Sequence, residues 1–305
     1  MLPQVGLSVI IVNFNTAEWL TNCLRSVMTQ SDISYEVFVV DNASTDHSVA
    51  TILDQFPQVR LFANKENLGF AKANNLAARE ARGRYIYYLS PDTVVQPGCF
   101  SAMLRFMEAN PYIGMAGTKL LFPDNTPQNS VEKRYPGQRH AGAELAGLPG
   151  SIAWLLGASL IARREVIETV GGFSEDFFLY GEDIDLGLKV RQAGWELGFI
   201  PDAKVIHWEG KSERHTLPLD VFRKKLTAEA LFYQRHYSAK TIVRICRANI
   251  RQARWRLFSL LFEKIFAQSK SNHESVATKR DRYRASLSFF LKLSAEIGSI
   301  TRHAG

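Results

Sequence analysis

Three cysteines in 305 residues, Cys23, Cys99 and Cys246, are too few and too scattered for a disulfide framework, and their spacing matches no zinc-ligand pattern. A reducing compartment is the natural setting for such a chain. Long apolar runs are also missing: no stretch reaches the ~20 residues that cross a bilayer. The first residues carry no basic segment, and the apolar run Leu7–Val12 is too short for the core of a secretory signal. The chain is therefore expected to stay in the cytoplasm, where it is made. Neither common phosphate-binding glycine loop is present, whether Gly-x-x-x-x-Gly-Lys-Ser/Thr or Gly-x-Gly-x-x-Gly. If this protein grips phosphates, a divalent cation beside a carboxylate is the usual remaining device. No internal repeat is found.

Acidic residues run short at one end. Residues 1–219 carry 19 Lys and Arg against 24 Asp and Glu, whereas residues 220–305 carry 18 against 6. The whole net charge of +7 thus belongs to the tail. The change falls near Leu217-Pro218-Leu219, which suggests a domain over 1–217 and a basic helical extension over 218–305.

The first part alternates between two periodicities. Leu7–Asn13, Tyr35–Val40, Val59–Phe62 and Tyr85–Leu89 are short apolar runs that predict buried strands. Between and after them, Ala17–Met28, the stretch opened by Asp46 (with Val49, Ile52 and Leu53 on one side), Phe70–Ala81 and Pro97–Ala109 predict helices. Such alternation implies an α/β fold with a mostly parallel sheet covered on both faces. Further on, Gly114–Phe122 reads as extended, Asp124–Gly150 as a long loop or hairpin, and Ile152–Ala162 as one buried strand. Glu182–Ala193 reads as a helix, and Trp195–Ile200 and Ala203–Trp208 as two short strands.

In open sheets of this kind ligands gather beyond the carboxyl ends of the strands. Three polar clusters fall there: Asn13-Phe14-Asn15, Asp41-Asn42 and Ser90-Pro91-Asp92. Asp92 is the leading candidate for a metal-binding carboxylate, although an aspartate in Ser-Pro-Asp-Thr is also ordinary turn chemistry. Asp41 is placed to meet the imide edge of uracil or thymine and a ribose, or to form an Asx turn ahead of the Asp46 helix start. The acids Glu182, Asp183 and Asp185 open a helix, where carboxylates are favoured by the exposed amides; one of them can instead serve as a general base. They point in different directions and cannot share one job. His207, after a strand, either packs, completes a metal site with Asp92 or contacts a phosphate. Trp154 and Trp208 either pack or stack on a sugar.

Taken in order, Ser8–Asn15, Val39–Asp46, Asn67–Asn75, Leu89–Thr93 and Gly171–Gly194 resemble the family 2 glycosyltransferases of the GT-A (nucleotide-diphospho-sugar transferase) fold. The nearest likeness is to the bacterial rhamnosyltransferase-like branch that assembles surface polysaccharides, and it spans about residues 7–210. The resemblance implies that Asn13, Asn15, Asp41 and Asn42 hold the nucleotide and that Asn67, Gly69, Phe70 and Asn74 line the donor pocket. It places Pro91 and Asp92 in the turn facing the donor, Asp92 matching the last acid of an Asp-x-Asp metal motif, and makes Asp183 the base. The first position of that motif is Ser90 rather than an acid, so the ion, magnesium or manganese, is expected to be held largely by the donor diphosphate, Asp92 and His207.

The reaction implied is a single displacement with inversion, from a dTDP- or UDP-sugar (dTDP-rhamnose first) to a glycan or lipid-linked acceptor. A glycoside hydrolase and a non-catalytic nucleotide-sugar-binding subunit are the competing classes. In the tail, Arg254–Phe266 interleaves basic with apolar and aromatic residues. That pattern suits a helix lying on the anionic inner face of the membrane, or one packing its apolar side onto the catalytic domain. Membrane contact is the expectation favoured, and nucleic acid is not expected as a partner.

Overall fold

A computed structural model describes residues 5–210, 216–266 and 276–303. The chain divides into two compact units, Met1–Tyr135 with Gly147–Arg214, and Pro136–Ala146 with His215–Gly305.

In the first unit, strand β1 (Leu7–Asn13) is buried along its whole length. Leu7, Val9 and Ile11 enter one apolar cluster, Ile10 and Val12 the other. A strand apolar on both sides belongs in the middle of a covered sheet. Helix α1 (Ala17–Met28) follows, then β2 (Tyr35–Asp41), α2 (Ser48–Gln55), β3 (Arg60–Ala63), α3 (Phe70–Ala78) and β4 (Tyr85–Leu89). Helix α1 buries Leu20, Leu24 and Val27, each worth roughly 1.5–3 kcal/mol when fully removed from water. Then come β5 (Thr93–Val95), α4 (Cys99–Ala109), β6 (Ile113–Leu121), β7 (Val131–Glu132), β8 (Trp154–Leu155), β9 (Ser159–Arg163), α5 (Arg164–Val170), α6 (Glu182–Gln192) and β10 (Glu196–His207).

Eight strands form one sheet in the order β3-β2-β1-β4-β9-β6-β10-β5. The first four are parallel, β9 runs antiparallel to both neighbours, β10 is parallel to β6, and β5 closes the edge antiparallel to β10. A separate two-stranded ribbon pairs β7 with β8.

Some local expectations change. The run 152–162 is not one strand but β8 and β9 separated at 156–158. At Gly157 the chain passes from the β7 ribbon, which Leu156 N–H still reaches at the Ser130 carbonyl, to the β4 ladder, which Ser90 N–H extends at the Ala158 carbonyl; Gly157 N–H serves neither and donates to Asp183. The two short strands expected over 195–208 are one strand, with a register shift between Ile200 and Lys204, where Pro201 has no N–H to give. Helix α2 starts at Ser48, not Asp46: His47 is the cap position, and Asp46 before it accepts from Ser48 N–H and Oγ in an Asx turn. Leu53, placed with Ile52 on the buried side, is exposed. Strand β5 was not anticipated at all. It pairs Thr93 with His207, and so brings Asp92 beside the end of β10.

The second unit contains α7 (Pro218–His236), α8 (Ala239–Phe266) and α9 (Val276–His303). Leu226, Phe232, Ile242, Ile245, Phe290 and Leu293 form its interior. The segment 136–146 is tied in by Tyr237, whose hydroxyl donates to the Pro136 carbonyl at 2.8 Å, and by Glu144, which accepts from Ser238 Oγ at 2.9 Å. Trp255, Phe258 and Leu261 stand exposed on α8. Among the described residues no helix is long and apolar enough to cross a membrane.

Candidate active site

The carboxyl ends of β1, β2 and β4 carry the polar residues, and a chain of hydrogen bonds joins them into one rim. β1 and β2 pair in register with Asn13 opposite Asp41. The Asn13 amide donates to Asp41 Oδ1 at 2.8 Å and to Ser44 Oγ at 3.1 Å, and its own oxygen accepts from Thr16 Oγ1. Asn13 is fully buried, so its work here is to orient Asp41. The other Asp41 oxygen accepts from Ser44 N–H at 2.9 Å. Asn15 caps the same turn, accepting from Thr45 N–H, while Asp46 takes Ala17 N–H at the start of α1. Burial works against the Asp46 charge, but hydrogen bonds from Ser48 and from Ala17 N–H outweigh it and hold that carboxyl below its ordinary pKa. Ala43 sits at φ 62°, a left-handed conformation that costs a side-chain-bearing residue about 1–2 kcal/mol.

From Asn42 the rim continues through α3. The Asn42 side chain donates to the Gly69 carbonyl at 3.1 Å and accepts from Asn64, and Asn67 Oδ1 accepts Gly69 N–H at 2.9 Å. Gly69 has φ 79°, and a Cβ there would lie 2.5 Å from the Phe178 carbonyl oxygen, so only glycine fits. That approach lets Phe70 N–H donate to the Phe178 carbonyl at 2.8 Å. Asn74 is buried and spends a donor on the Phe70 carbonyl, bracing the first turn of α3.

Phe178 leads through Tyr180 and Gly181, both at positive φ, into α6. There the three acids meet three different environments. Asp185 is fully buried and accepts from Ser174 Oγ at 2.6 Å, which ties the preceding loop to the helix. Glu182 is buried, and its Oε2 finds no hydrogen-bond partner. Burial and then the neighbouring Asp183 carboxylate push the Glu182 carboxyl well above its usual pKa, toward the neutral acid. Asp183, 9% exposed, receives Ile184 N–H on Oδ1 at 2.9 Å and Gly157 N–H on Oδ2 at 3.1 Å.

The rim closes through the 156–158 break. Ser90 N–H donates to the Ala158 carbonyl at 2.8 Å, next to the Gly157 that holds Asp183. Two residues on, Asp92 is buried, and its backbone carbonyl accepts Trp208 N–H at 3.0 Å. Its Oδ1 lies 3.6 Å from His207 Nε2. Pro91 is buried between Ser90 and Asp92. Cys23 lies beneath this turn, 3.7 Å from the Ser90 carbonyl, and burial pushes its thiol up to about 12, so it stays a neutral packing group. Trp208 packs on Trp19, with ring centroids 5.4 Å apart. Trp154 lies with its Cβ and Cα against Gly187 of α6 and donates its indole N–H to the Arg134 carbonyl.

Asp92 Oδ1 and His207 Nε2 are a hard oxygen and an imidazole nitrogen, donors that suit magnesium or manganese. They are only two. Among the described residues no group of three or more His, Cys, Asp or Glu side chains gathers to hold an ion. The pair fits a cation that brings further oxygen ligands with it, as a bound diphosphate would.

Two members of the rim have no place in the sequence expectations: Gly157 with Ala158, and Gln128, whose Oε1 lies 3.0 Å from His207 Nδ1. A glycine inside an apolar run is a recognised sign of a bulge or a close approach. Gln128 carried no comparable signal.

The profile of "Glycosyl transferase family 2" matches residues 8–182. The N-acetylglucosaminyl-diphospho-decaprenol L-rhamnosyltransferase of Mycobacterium tuberculosis is 27% identical over 241 residues, covering 68% of this chain and 77% of the relative. The O-antigen biosynthesis protein RfbC of Myxococcus xanthus is 30% identical over 231 residues, which is 70% of this chain but 18% of that much longer protein. Among solved structures, the mannosyltransferase PcManGT of Pyrobaculum calidifontis, in complex with GDP-Man and Mn2+, superposes with a TM-score of 0.54 at 20% identity, covering 100% of this chain and 77% of that one. GalNAc-T7 with UDP, GalNAc and Mn2+ gives 0.57 at 15% identity, covering 99% and 58%. The sheet order, the rim and these likenesses describe a GT-A fold, and with the profile match spanning more than half its length, the chain belongs to glycosyl transferase family 2.

Proposed function

We propose that this glycosyltransferase moves a sugar, rhamnose being the first candidate, from a dTDP- or UDP-linked donor to a hydroxyl of a glycan or lipid-linked acceptor, with inversion, in the synthesis of a surface polysaccharide. The observation that carries the reading is the closed rim. It ties the Asp41-Asn42 turn, the Asn67–Phe70 loop, the Asp92 turn and the Asp183 helix start together through named hydrogen bonds. The names of the Mycobacterium and Myxococcus relatives support the polysaccharide setting, and the ligands of the two solved structures support a nucleotide-bound donor with a divalent ion.

In this reading Asp41, oriented by Asn13, meets the base and ribose, with Asn15 and Asn42 shaping the same turn. Asn67, Gly69, Phe70 and Asn74 form and brace the wall along the donor, and Pro91 sets the turn that presents Asp92. Asp92 and His207 hold the ion, which when bound neutralises charge on the departing diphosphate. Asp183 takes the proton of the acceptor hydroxyl. As it does so, the acceptor oxygen forms a bond to the anomeric carbon, the bond from that carbon to the diphosphate oxygen breaks, and the electron pair leaves with the nucleoside diphosphate. Burial and the neighbouring Asp183 carboxylate push the Glu182 carboxyl toward the neutral acid. Residues 1–217 carry this chemistry. The basic extension 218–305 brings it to an anionic membrane surface through the exposed Trp255, Phe258 and Leu261 of α8.

The test is to incubate the protein with a panel of nucleotide sugars and candidate acceptors and to read nucleotide release and product. Transfer that needs both an acceptor and Mg2+ or Mn2+, and that collapses in Asp92→Ala, is the expected result. Release of free sugar with no acceptor requirement favours hydrolysis. Undiminished turnover and an unchanged metal response in Asp92→Ala remove that residue from the site.

A further inference from the structure

One side chain with no role in the proposed chemistry, Gln128, lies against His207. After β6 the chain turns sharply. Asp124 Oδ1 accepts from Thr126 N–H and from Thr126 Oγ1, Phe122 N–H bonds the Thr126 carbonyl, and Asn125 takes φ 64°. The returning strand is pinned by Gln128 N–H to the Leu120 carbonyl at 3.0 Å. Because β6 pairs with β10 as far as Leu121 opposite Ile206, this turn sets Gln128 beside His207.

The Gln128 amide is held at both ends. Its Nε2 donates to Glu209 Oε2 at 3.1 Å, and its Oε1 lies 3.0 Å from His207 Nδ1. An ionised carboxylate only accepts, so the amide nitrogen must face Glu209. The amide oxygen therefore faces the imidazole, and it too only accepts. Nδ1 must then carry the ring proton. In the neutral ring that leaves Nε2 as a bare lone pair, 3.6 Å from Asp92 Oδ1. At that separation, beyond hydrogen-bond distance, both atoms can serve as ligands to one cation.

We propose that Gln128 is the positioning residue that makes His207 a metal ligand, by fixing its proton on Nδ1 and presenting Nε2 to the ion beside Asp92. This rests on the reading of Asp92 and His207 as the ion's protein ligands. Without Gln128 the ring can place its proton on Nε2 and donate to Asp92, closing the site with a hydrogen bond of its own. Hydrogen-bond partners of this kind commonly change metal affinity about 10- to 100-fold.

The full-length protein is labelled with 15N, and the protonation of its histidine ring nitrogens is read from long-range 1H–15N spectra, with His207 assigned by its loss in His207→Gln. Mn2+ affinity is measured in parallel by electron paramagnetic resonance in the presence of UDP. In the unaltered protein His207 is expected to carry its proton on Nδ1. In Gln128→Leu the proton is expected to move to Nε2 and Mn2+ to bind roughly 10- to 100-fold more weakly, while UDP affinity without metal stays the same. The paired exchange Gln128→Glu with Glu209→Gln keeps an acceptor facing Nδ1 and a donor facing that acceptor, so it is expected to restore both readouts; a purely structural loss would not be rescued this way. A proton on Nε2 in the unaltered protein overturns the proposal, as does undiminished Mn2+ affinity in Gln128→Leu. If His207→Gln and Asp92→Ala also leave Mn2+ affinity untouched, the ligand assignment itself falls. The tautomer spectrum, which needs neither donor nor metal, keeps the two failures apart.

Discussion

Replacing Asp183 by asparagine separates chemistry from architecture, because the structure sets the size of each effect. Both carboxylate oxygens are occupied by backbone donors, Oδ1 by Ile184 N–H at 2.9 Å and Oδ2 by Gly157 N–H at 3.1 Å. Asparagine offers one acceptor and one donor. With its oxygen kept on Ile184, the new NH2 faces the Gly157 N–H, donor against donor. A buried N–H left without a partner costs about 1–3 kcal/mol, and Gly157 is half-buried, so Asp183→Asn is expected to lose about 1 kcal/mol, the low end of that range, in urea denaturation. Loss of a general base is a separate effect, typically a rate factor of about 10²–10⁴, or roughly 2.7–5.4 kcal/mol in barrier height. The rim around Asp41 and Gly69 is untouched, so donor affinity should hold while kcat collapses. The assay is steady-state nucleotide release with donor and acceptor varied independently, at a temperature where both proteins are fully folded. If kcat stays within about tenfold of the parent protein, proton transfer does not run through Asp183.

Glu182 gives a pH signature. Its folded pKa lies above its unfolded value, so the folded state binds the extra proton, and stability falls as pH rises from the ordinary carboxylate range through the raised pKa. Urea midpoints in Glu182→Gln should lose this slope, and an unchanged slope would place the linkage elsewhere. Gly69→Ala forces a Cβ to within 2.5 Å of the Phe178 carbonyl oxygen at φ 79°. It is expected to cost at least about 1–2 kcal/mol from the backbone alone and to weaken nucleotide binding in calorimetry. Trp255→Ala with Phe258→Ser should reduce co-flotation with anionic liposomes while leaving transfer to a water-soluble acceptor intact; equal flotation would remove α8 as the membrane face.

The frame of the first unit was legible because its strands are short, β-branched and apolar on both faces, as in Leu7–Asn13, and because α1 repeats its buried residues at helical spacing. What periodicity missed depended on partners far away in the chain. Strand β5 is three residues long and exists only because β10 offers it an edge. The break at 156–158 is invisible to a hydropathy pattern, since Leu156, Gly157 and Ala158 read as more strand. Its cause lies in two distant partners, β7 and β4, between which the chain changes at Gly157, leaving that one N–H for Asp183.

The same distinction decides how far the site could be read. Asp41, Asp92 and Asp183 announce themselves as acids at the ends of predicted elements, where parallel sheets gather ligands. Sequence spacing set Asp183 apart from Glu182 and Asp185, since positions one and two apart on a helix diverge. It could not say which acid is buried and satisfied, which is buried with one oxygen unpartnered, and which is held by two backbone donors. Those differences come from Ser174, eleven residues before Asp185, and from Gly157, far away in the chain. Identity of residue type is local information, whereas the protonation state that gives an acid its chemistry is set by whatever the fold presses against it. At such a site the residues most worth altering are therefore the ones whose own names suggest nothing, a glycine that donates one N–H and a glutamine that sets one proton.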